Sequence, residues 1–383
     1  MAFELSLPNK IFMGEEALQL AKPTLATLGS KAFIVTGKVV TRTGLVDKLT
    51  SVLDEIGIGY AIFNDITGEP TDEMINAGVK AYREAGCDFG IGIGGGSPLD
   101  SVKAILAMTV EKEDISYFNG KSLEGDYPPI VAIPTTAGTG SEATKFTVVT
   151  DTKSDIKMLL KGKLLPDVAI VDPLLTLSAP KSITAATGMD AFTHAVEAYT
   201  SVKANPLTDV FALSAVRRIF KYLPVAYKDG NDVEAREQMS LAAFEAGVCI
   251  NNSSVTIVHG MSRPIGALFH VPHGISNAML IKDCLAYVTF GAPERFAAIA
   301  RTMGVADEDT DLETACGAFI EGVQTLCDAC EIPTLEQYGI NRDDFLAAVP
   351  KMAGDAMDSG SPSNTRMSVT KEDLIKIYNG LWR

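Results

Sequence analysis

Among 383 residues there are only four histidines, His194, His259, His270 and His273, and all of them lie in the second half of the chain. In Gly188-Met189-Asp190-Ala191-Phe192-Thr193-His194 a carboxylate and an imidazole stand four positions apart, so one helix would present both on a single face. Val258-His259-Gly260-Met261-Ser262-Arg263-Pro264 is followed by Pro272-His273-Gly274, which sets two imidazoles 14 residues apart across an expected helix and turn. One aspartate and three histidines make a mixed oxygen and nitrogen donor set that suits Fe2+ or Zn2+ and suits Ca2+ poorly. Singly, an Asp-x-x-x-His pair is most often polar decoration on a helix, and a lone His in an apolar helix is most often core. Together, with Ala, Phe and Ile around them, they favour a divalent-metal site at Asp190, His194, His259 and His273. His270 is read as a neighbour of that site or a pocket wall.

A second chemistry is written in the first half. The apolar run DFGIGIG leads into Gly94-Gly95-Gly96-Ser97-Pro98-Leu99-Asp100, where Ser97 suits a helix cap, Pro98 the first helical position and Asp100 the first turn. Glycines let a phosphate approach the backbone, and the free N–H groups of a helix start favour that anion. The spacing is not GxGxxG, so the common dinucleotide fingerprint is absent, and a glycine triplet alone reads more often as a tight turn. Another small-residue loop, Thr135-Thr136-Ala137-Gly138-Thr139-Gly140-Ser141, follows Ile130–Pro134. Two such loops at the carboxyl ends of two strands would meet at the edge where open α/β sheets bind nucleotides.

The elements that must position these residues differ between the two halves. From about residue 30 to 172, β-branched runs (Lys31–Thr36, Tyr60–Asp65, Asp88–Gly94, Ile130–Pro134, Val168–Asp172) alternate with amphipathic stretches such as Thr43–Ile56 and Asp72–Ala85, the pattern of a parallel sheet with helices on both faces. Phe146–Leu160 reads as a hairpin. After Pro180 the strand signals fade into long Ala-, Leu-, Met- and Glu-rich helical patterns. The reading is therefore an α/β domain over 1–180 and an all-helical domain over 181–383, sharing a cleft of the kind that holds ligands.

Composition narrows the function. A hydrophobic fraction of 46% with 21% charged residues is that of a globular chain, and the net charge of −15 with no basic run argues against nucleic acid or an anionic membrane as partner. No stretch is apolar enough to span a bilayer, and MAFELSLPNK lacks a basic segment followed by an apolar one. Six scattered cysteines read as reduced thiols, Cys327-x-x-Cys330 included, so a cytoplasmic location is expected.

The motifs GGGSPLDSVKA, PTTAGTGSEAT, the Lys157-Met158 arm, ATGMDAFTHAVEAYTS and HGMSRPIGALFHVPHGISNAML occur in this order over almost the whole chain. In them the chain resembles the iron-containing (group III) alcohol dehydrogenases, which include lactaldehyde reductases, 1,3-propanediol dehydrogenases and butanol dehydrogenases. The resemblance implies a dehydroquinate synthase-like fold, with an α/β dinucleotide-binding domain followed by an all-α domain holding one Fe2+ (or Zn2+). It implies metal ligation at Asp190, His194, His259 and His273, pyrophosphate binding at Gly94, Gly95, Gly96 and Ser97, and Asp100 close to the nicotinamide. Thr135, Thr136, Ser141 and Lys157 match positions that line the nucleotide site. It also implies a homo-oligomer, taken as a dimer, and NAD(H) or NADP(H) as cofactor. The substrate class is a small primary alcohol, diol or aldehyde.

Two departures bear on that transfer. Gly37 stands where many members carry an aspartate that would accept from the adenosine ribose, and Lys38 follows it, so NADP(H) is expected to be acceptable. Arg263, four residues after His259, stands where many members have a histidine near the substrate. A guanidinium there could pair with a carboxylate or sulfonate tail on the substrate. Arg263 and His270 are thus the candidate catalytic residues, with the proton route left open among water, His270 and the cofactor ribose. The competing readings are a zinc-dependent glycerol dehydrogenase-like or dehydroquinate synthase-like enzyme, and a non-catalytic metal- or nucleotide-binding protein.

Overall fold

The computed structural model describes residues 2–154 and 156–382; Asp155, in the turn of the expected hairpin, lies outside them. The chain divides into two compact units, Ser6–Ala179 and Pro180–Arg383, the latter joined by the extreme amino terminus.

Among the described residues nine strands lie in the first unit: β1 (Lys10–Met13), β2 (Lys31–Val35), β3 (Gly59–Phe63), β4 (Phe89–Gly94), β5 (Ser122–Leu123), β6 (Ile130–Pro134), β7 (Phe146–Asp151), β8 (Ile156–Gly162) and β9 (Val168–Val171). Six form one sheet in the order β1-β9-β6-β4-β2-β3, every neighbouring pair parallel. The central strands FGIGIG, IVAIP and VAIV are buried at every position, as a sheet covered on both faces requires. Along β2, Phe33 and Val35 face one apolar cluster while Ala32 and Ile34 face the other, the period of two that a strand imposes. Each such side chain, fully buried, contributes about 1.5–3 kcal/mol. Strand β1 precedes the β-branched runs that start near residue 30 and is not foreseen from sequence. Its four residues are only half buried at the sheet edge, so they leave no alternating pattern to find.

The covering helices α1 (Leu45–Glu55), α2 (Asp72–Ala85) and α3 (Gly96–Val110) follow β2, β3 and β4. Thr71 caps α2 by accepting from the Met74 N–H, and Gly86, at φ 63°, ends it. The expected hairpin is the antiparallel pair β7 and β8.

The second unit is built of helices: α4 (Lys181–Thr200), α5 (Pro206–Lys228), α6 (Val233–Asn252), α7 (Ile257–Phe269), α8 (His273–Val288), α9 (Pro293–Met303), α10 (Leu312–Ala329), α11 (Arg342–Asp358) and α12 (Lys371–Gly380). Its centre is α4, buried almost throughout its length, with α5, α6 and α8 packed on it. Small residues make that possible: a Cβ on Gly188 would lie 2.3 Å from the Leu223 side chain of α5. Asn205 and Thr208 form a capping box around Pro206 and fix where α5 starts. Among the described residues no single helix is long and apolar enough to cross a membrane, and all six cysteines are free thiols.

Candidate functional site

Asp190 and His194 share one face of α4, His259 lies in the first turn of α7, and His273 opens α8. One ligand atom from each lies within 4.8 Å of every other. Asp190 Oδ1 is the hub, 3.6 Å from His259 Nε2, 3.6 Å from His273 Nε2 and 3.8 Å from His194 Nε2. The His194 and His259 rings stack at 4.6 Å. Asp190, His194 and His259 are buried, whereas His273 leaves 42% of its side chain accessible, so the group opens on that side. The close approach of α8 to α4 depends on Gly274, since a Cβ there would fall 2.2 Å from the Ala186 carbonyl oxygen.

Glu197, a residue the sequence reading passed over, sets the orientation of His259. It sits one turn beyond His194 on α4, fully buried. Its Oε1 accepts from the Val258 N–H at 2.6 Å and the Thr256 hydroxyl at 2.8 Å, and its Oε2 lies 2.5 Å from His259 Nδ1. Helix α7 has no side-chain cap of its own, and a carboxylate of the neighbouring helix satisfies its free N–H instead, where the helix dipole also favours negative charge. With Nδ1 donating to Glu197, the lone pair of His259 is left on Nε2, facing Asp190. Burial would raise the Glu197 carboxyl, and His259 and Thr256 more than reverse this. Burial likewise opposes ionisation of Asp190, yet His194, His273 and His259 hold it well below the usual carboxylate range.

Four acceptors directed at one point inside protein need a cation or a donor between them. Asn277, one turn along α8 from His273, answers with its amide: Nδ2 lies 2.8 Å from Asp190 Oδ1, 3.2 Å from His259 Nε2 and 3.3 Å from His273 Nε2. The other end of that amide, Oδ1, is buried without a hydrogen-bond partner. An ionised carboxylate, three imidazoles and a neutral amide that is only half satisfied are a donor set into which a divalent transition metal fits.

In the α/β unit, α3 begins at Gly96 with Gly95 in the capping position, two residues earlier than the sequence suggested for Ser97 and Pro98. The glycines permit this, Gly94 adopting φ 151°, and Pro98 falls in the first turn, where its missing N–H leaves no bond unmade. One cavity brings together Gly37, Lys38, Gly95, Gly96 and Ser97, with Ile66, Thr67 and Gly68 from a loop that sequence reading missed. The second loop lies against the first: the Thr135 N–H donates to the Gly94 carbonyl, and Cβ atoms on Gly95 and Gly96 would stand 3.6 Å from Thr136 and 2.9 Å from Thr139.

Asp100 and Ser141 bond to each other. The Ser141 hydroxyl donates to Asp100 Oδ1 at 2.6 Å, and the Val148 N–H to Oδ2 at 2.8 Å. Lys103, fully buried, donates to Ser141, Thr144 and Phe146, three of these five bonds going to backbone carbonyls. Burial pushes its ammonium down to about 8. These contacts staple the second loop to α3. Lys157 on β8 is paired with Glu69 at 2.5 Å, and Lys38 with Asp65 at 3.4 Å.

Arg263 lies one turn beyond His259 on α7 and donates from Nη1 to the Ser361 hydroxyl at 3.1 Å. His270 is exposed and ends α7 in the left-handed region, φ 54°. It is not among the converging donors.

The profile of iron-containing alcohol dehydrogenases matches residues 8–173, and that of the Fe-containing alcohol dehydrogenase family C-terminal region matches 184–382. The chain is 39% identical to a 1,3-propanediol dehydrogenase of Citrobacter freundii over 98% of both chains. It is also 39% identical to an NAD-dependent methanol dehydrogenase of Bacillus methanolicus over 82% of both. The crystal structure of a 1,3-propanediol oxidoreductase superposes with a TM-score of 0.96 at 35% identity over the whole of both chains. The protein belongs to the iron-containing alcohol dehydrogenase family. Its fold is dehydroquinate synthase-like, and it is an oxidoreductase acting on CH–OH donors.

Proposed function

We propose that the chain interconverts a small alcohol or diol and its aldehyde, using one Fe2+ (or Zn2+) at Asp190, His194, His259 and His273 and a nicotinamide cofactor held by residues 1–180. Residues 181–383 supply the metal and substrate site. The convergence of those four side chains on one point carries the reading. A divalent ion held there supplies Lewis acidity toward the substrate oxygen, and the nicotinamide gives or takes the hydride.

The protein's own groups prepare that chemistry. Glu197 keeps His259 in the tautomer whose Nε2 faces Asp190, and Asp190 stays ionised. Gly94, Gly95, Gly96 and Ser97 form the strand-to-helix turn, where the first N–H groups of α3 and the lack of side chains allow close backbone approach to a pyrophosphate, Thr135 and Thr136 border them, and Asp100, Ser141 and Lys103 hold the loops in place. Lys157 completes the proposed cofactor contacts from β8. Gly37 carries no side chain, and one there would press on the Ile66 carbonyl at 2.8 Å; Lys38 beside it, paired with Asp65, offers a cation to a 2′-phosphate, which supports acceptance of NADP(H) as well as NAD(H). A cytoplasmic homodimer is the remaining part of the proposal, supported by the reduced cysteines for the first term and by the family for the second.

The test loads the protein anaerobically with Fe2+ and follows NADH or NADPH absorbance with a panel of small aldehydes. Aldehyde-dependent oxidation of either cofactor, abolished by Asp190→Ala together with metal uptake, is expected. Full activity with all four donors replaced by alanine would overturn the assignment.

A further inference from the structure

Arg263 is a largely enclosed guanidinium without a carboxylate of its own. Among the described residues Nη1 alone has a hydrogen-bond partner, the neutral Ser361 hydroxyl, which leaves Nε and Nη2 for a ligand. Among the described residues no carboxylate lies within ion-pair distance of it. The one whose charge it feels, Glu197, already spends both oxygens on Thr256, Val258 and His259. An enclosed cation with two unmet donors in a planar fork is a receptor for a planar or trigonal oxyanion. Ser361, itself buried, fixes one corner of the fork, so the rest is held in one direction.

Its position says which anion. Arg263 is one helical turn from His259, about 6 Å along α7, and its charge is also felt at His273 on the open side of the donor group. A molecule with its oxygen at the donor group and a short carbon chain could reach the guanidinium with its other end. On a chain of net charge −15 an anion finds no general attraction, so its recognition must be local.

We propose that Arg263 is a specificity residue for substrates bearing an oxyanion, a carboxylate or sulfonate, a few carbons from the reacting aldehyde or alcohol. This rests on the dehydrogenase reading above and names its substrate class. Hydride from the reduced nicotinamide adds to the aldehyde carbon, a solvent proton completes the hydroxyl, and the anionic tail is unchanged.

The Fe2+-loaded enzyme is assayed with succinic semialdehyde, 3-oxopropane-1-sulfonate and uncharged butanal, as wild type, Arg263→Gln and Arg263→Lys, with melting curves confirming that each is folded. Wild type is expected to favour an anionic aldehyde over butanal by about tenfold or more in kcat/KM, chiefly through KM. The ratio collapses toward one in Arg263→Gln and is partly restored in Arg263→Lys. Preference for either anion supports the proposal. Calorimetric binding of 4-hydroxybutyrate and butan-1-ol to the metal-loaded protein without cofactor gives a readout independent of turnover, with the anion's advantage lost in Arg263→Gln. Butanal turned over as well as both anions, or a ratio unchanged by Arg263→Gln, overturns the proposal and leaves the dehydrogenase standing. If no aldehyde is reduced although Fe2+ is bound, the dehydrogenase reading fails and calorimetry alone decides Arg263.

Discussion

At the scale of single residues, the donor group depends on side chains that never need touch an ion. Glu197→Gln keeps an oxygen for the Val258 N–H but offers an N–H to His259 Nδ1, which must then accept and carry its proton on Nε2. Loss of Fe2+ or Zn2+ affinity of about 10- to 100-fold is expected in a chelator competition, with little change in nucleotide affinity. Unchanged metal affinity would remove Glu197 from the site. Glu142 gives a pH signature in the other unit. Burial foremost lifts its carboxyl to about 7, against its own N–H and Lys103. Between the unfolded value and that one the folded protein binds the extra proton, so the stability it contributes is full in acid and is lost as pH rises through about 7. Glu142→Gln abolishes this titration. Its melting temperature relative to wild type should climb between about pH 5 and pH 8, and a flat difference would contradict the account.

Two helix starts make the candidate sites at the scale of elements. Helix α8 can bring His273 to Asp190 only because Gly274 has no side chain to meet the Ala186 carbonyl 2.2 Å away. Gly274→Ala favours helix by propensity, yet it should lower stability by about 1–3 kcal/mol and weaken metal binding as α8 is pushed off α4. Thermal unfolding and metal titration of the variant check both; a more stable variant with full metal affinity would show that the contact is not needed. At α3 residue type favours a cap at Ser97, yet the helix starts at Gly96 because glycine backbone can enter it sooner. The motif was legible, while the register was set by how the turn packs on Thr136 and Thr139.

At the scale of the whole molecule, the two units imply separate responses to ligands. Fe2+ should slow amide hydrogen exchange in α4, α7 and the start of α8, and NADPH should slow it at 94–100 and 135–141, each reversed by removing its ligand. Metal protection confined to the α/β unit would refute the division of labour. Sequence by itself determined the parallel sheet, the helical second half and the four side chains that converge as candidate metal donors, because the signals are local or chemically rare: period two against period 3.6, and an Asp with three of only four histidines. It left unseen the contacts made between distant segments. Glu197 looks like any helical glutamate until α7 arrives to be capped, Asn277 like any polar residue in a core helix, and Lys103 like a flaw in an apolar run until residues 141–146 surround it. Only the tertiary structure decided those roles, since a buried polar group acquires its meaning from partners tens of positions away whose identity no spacing rule encodes.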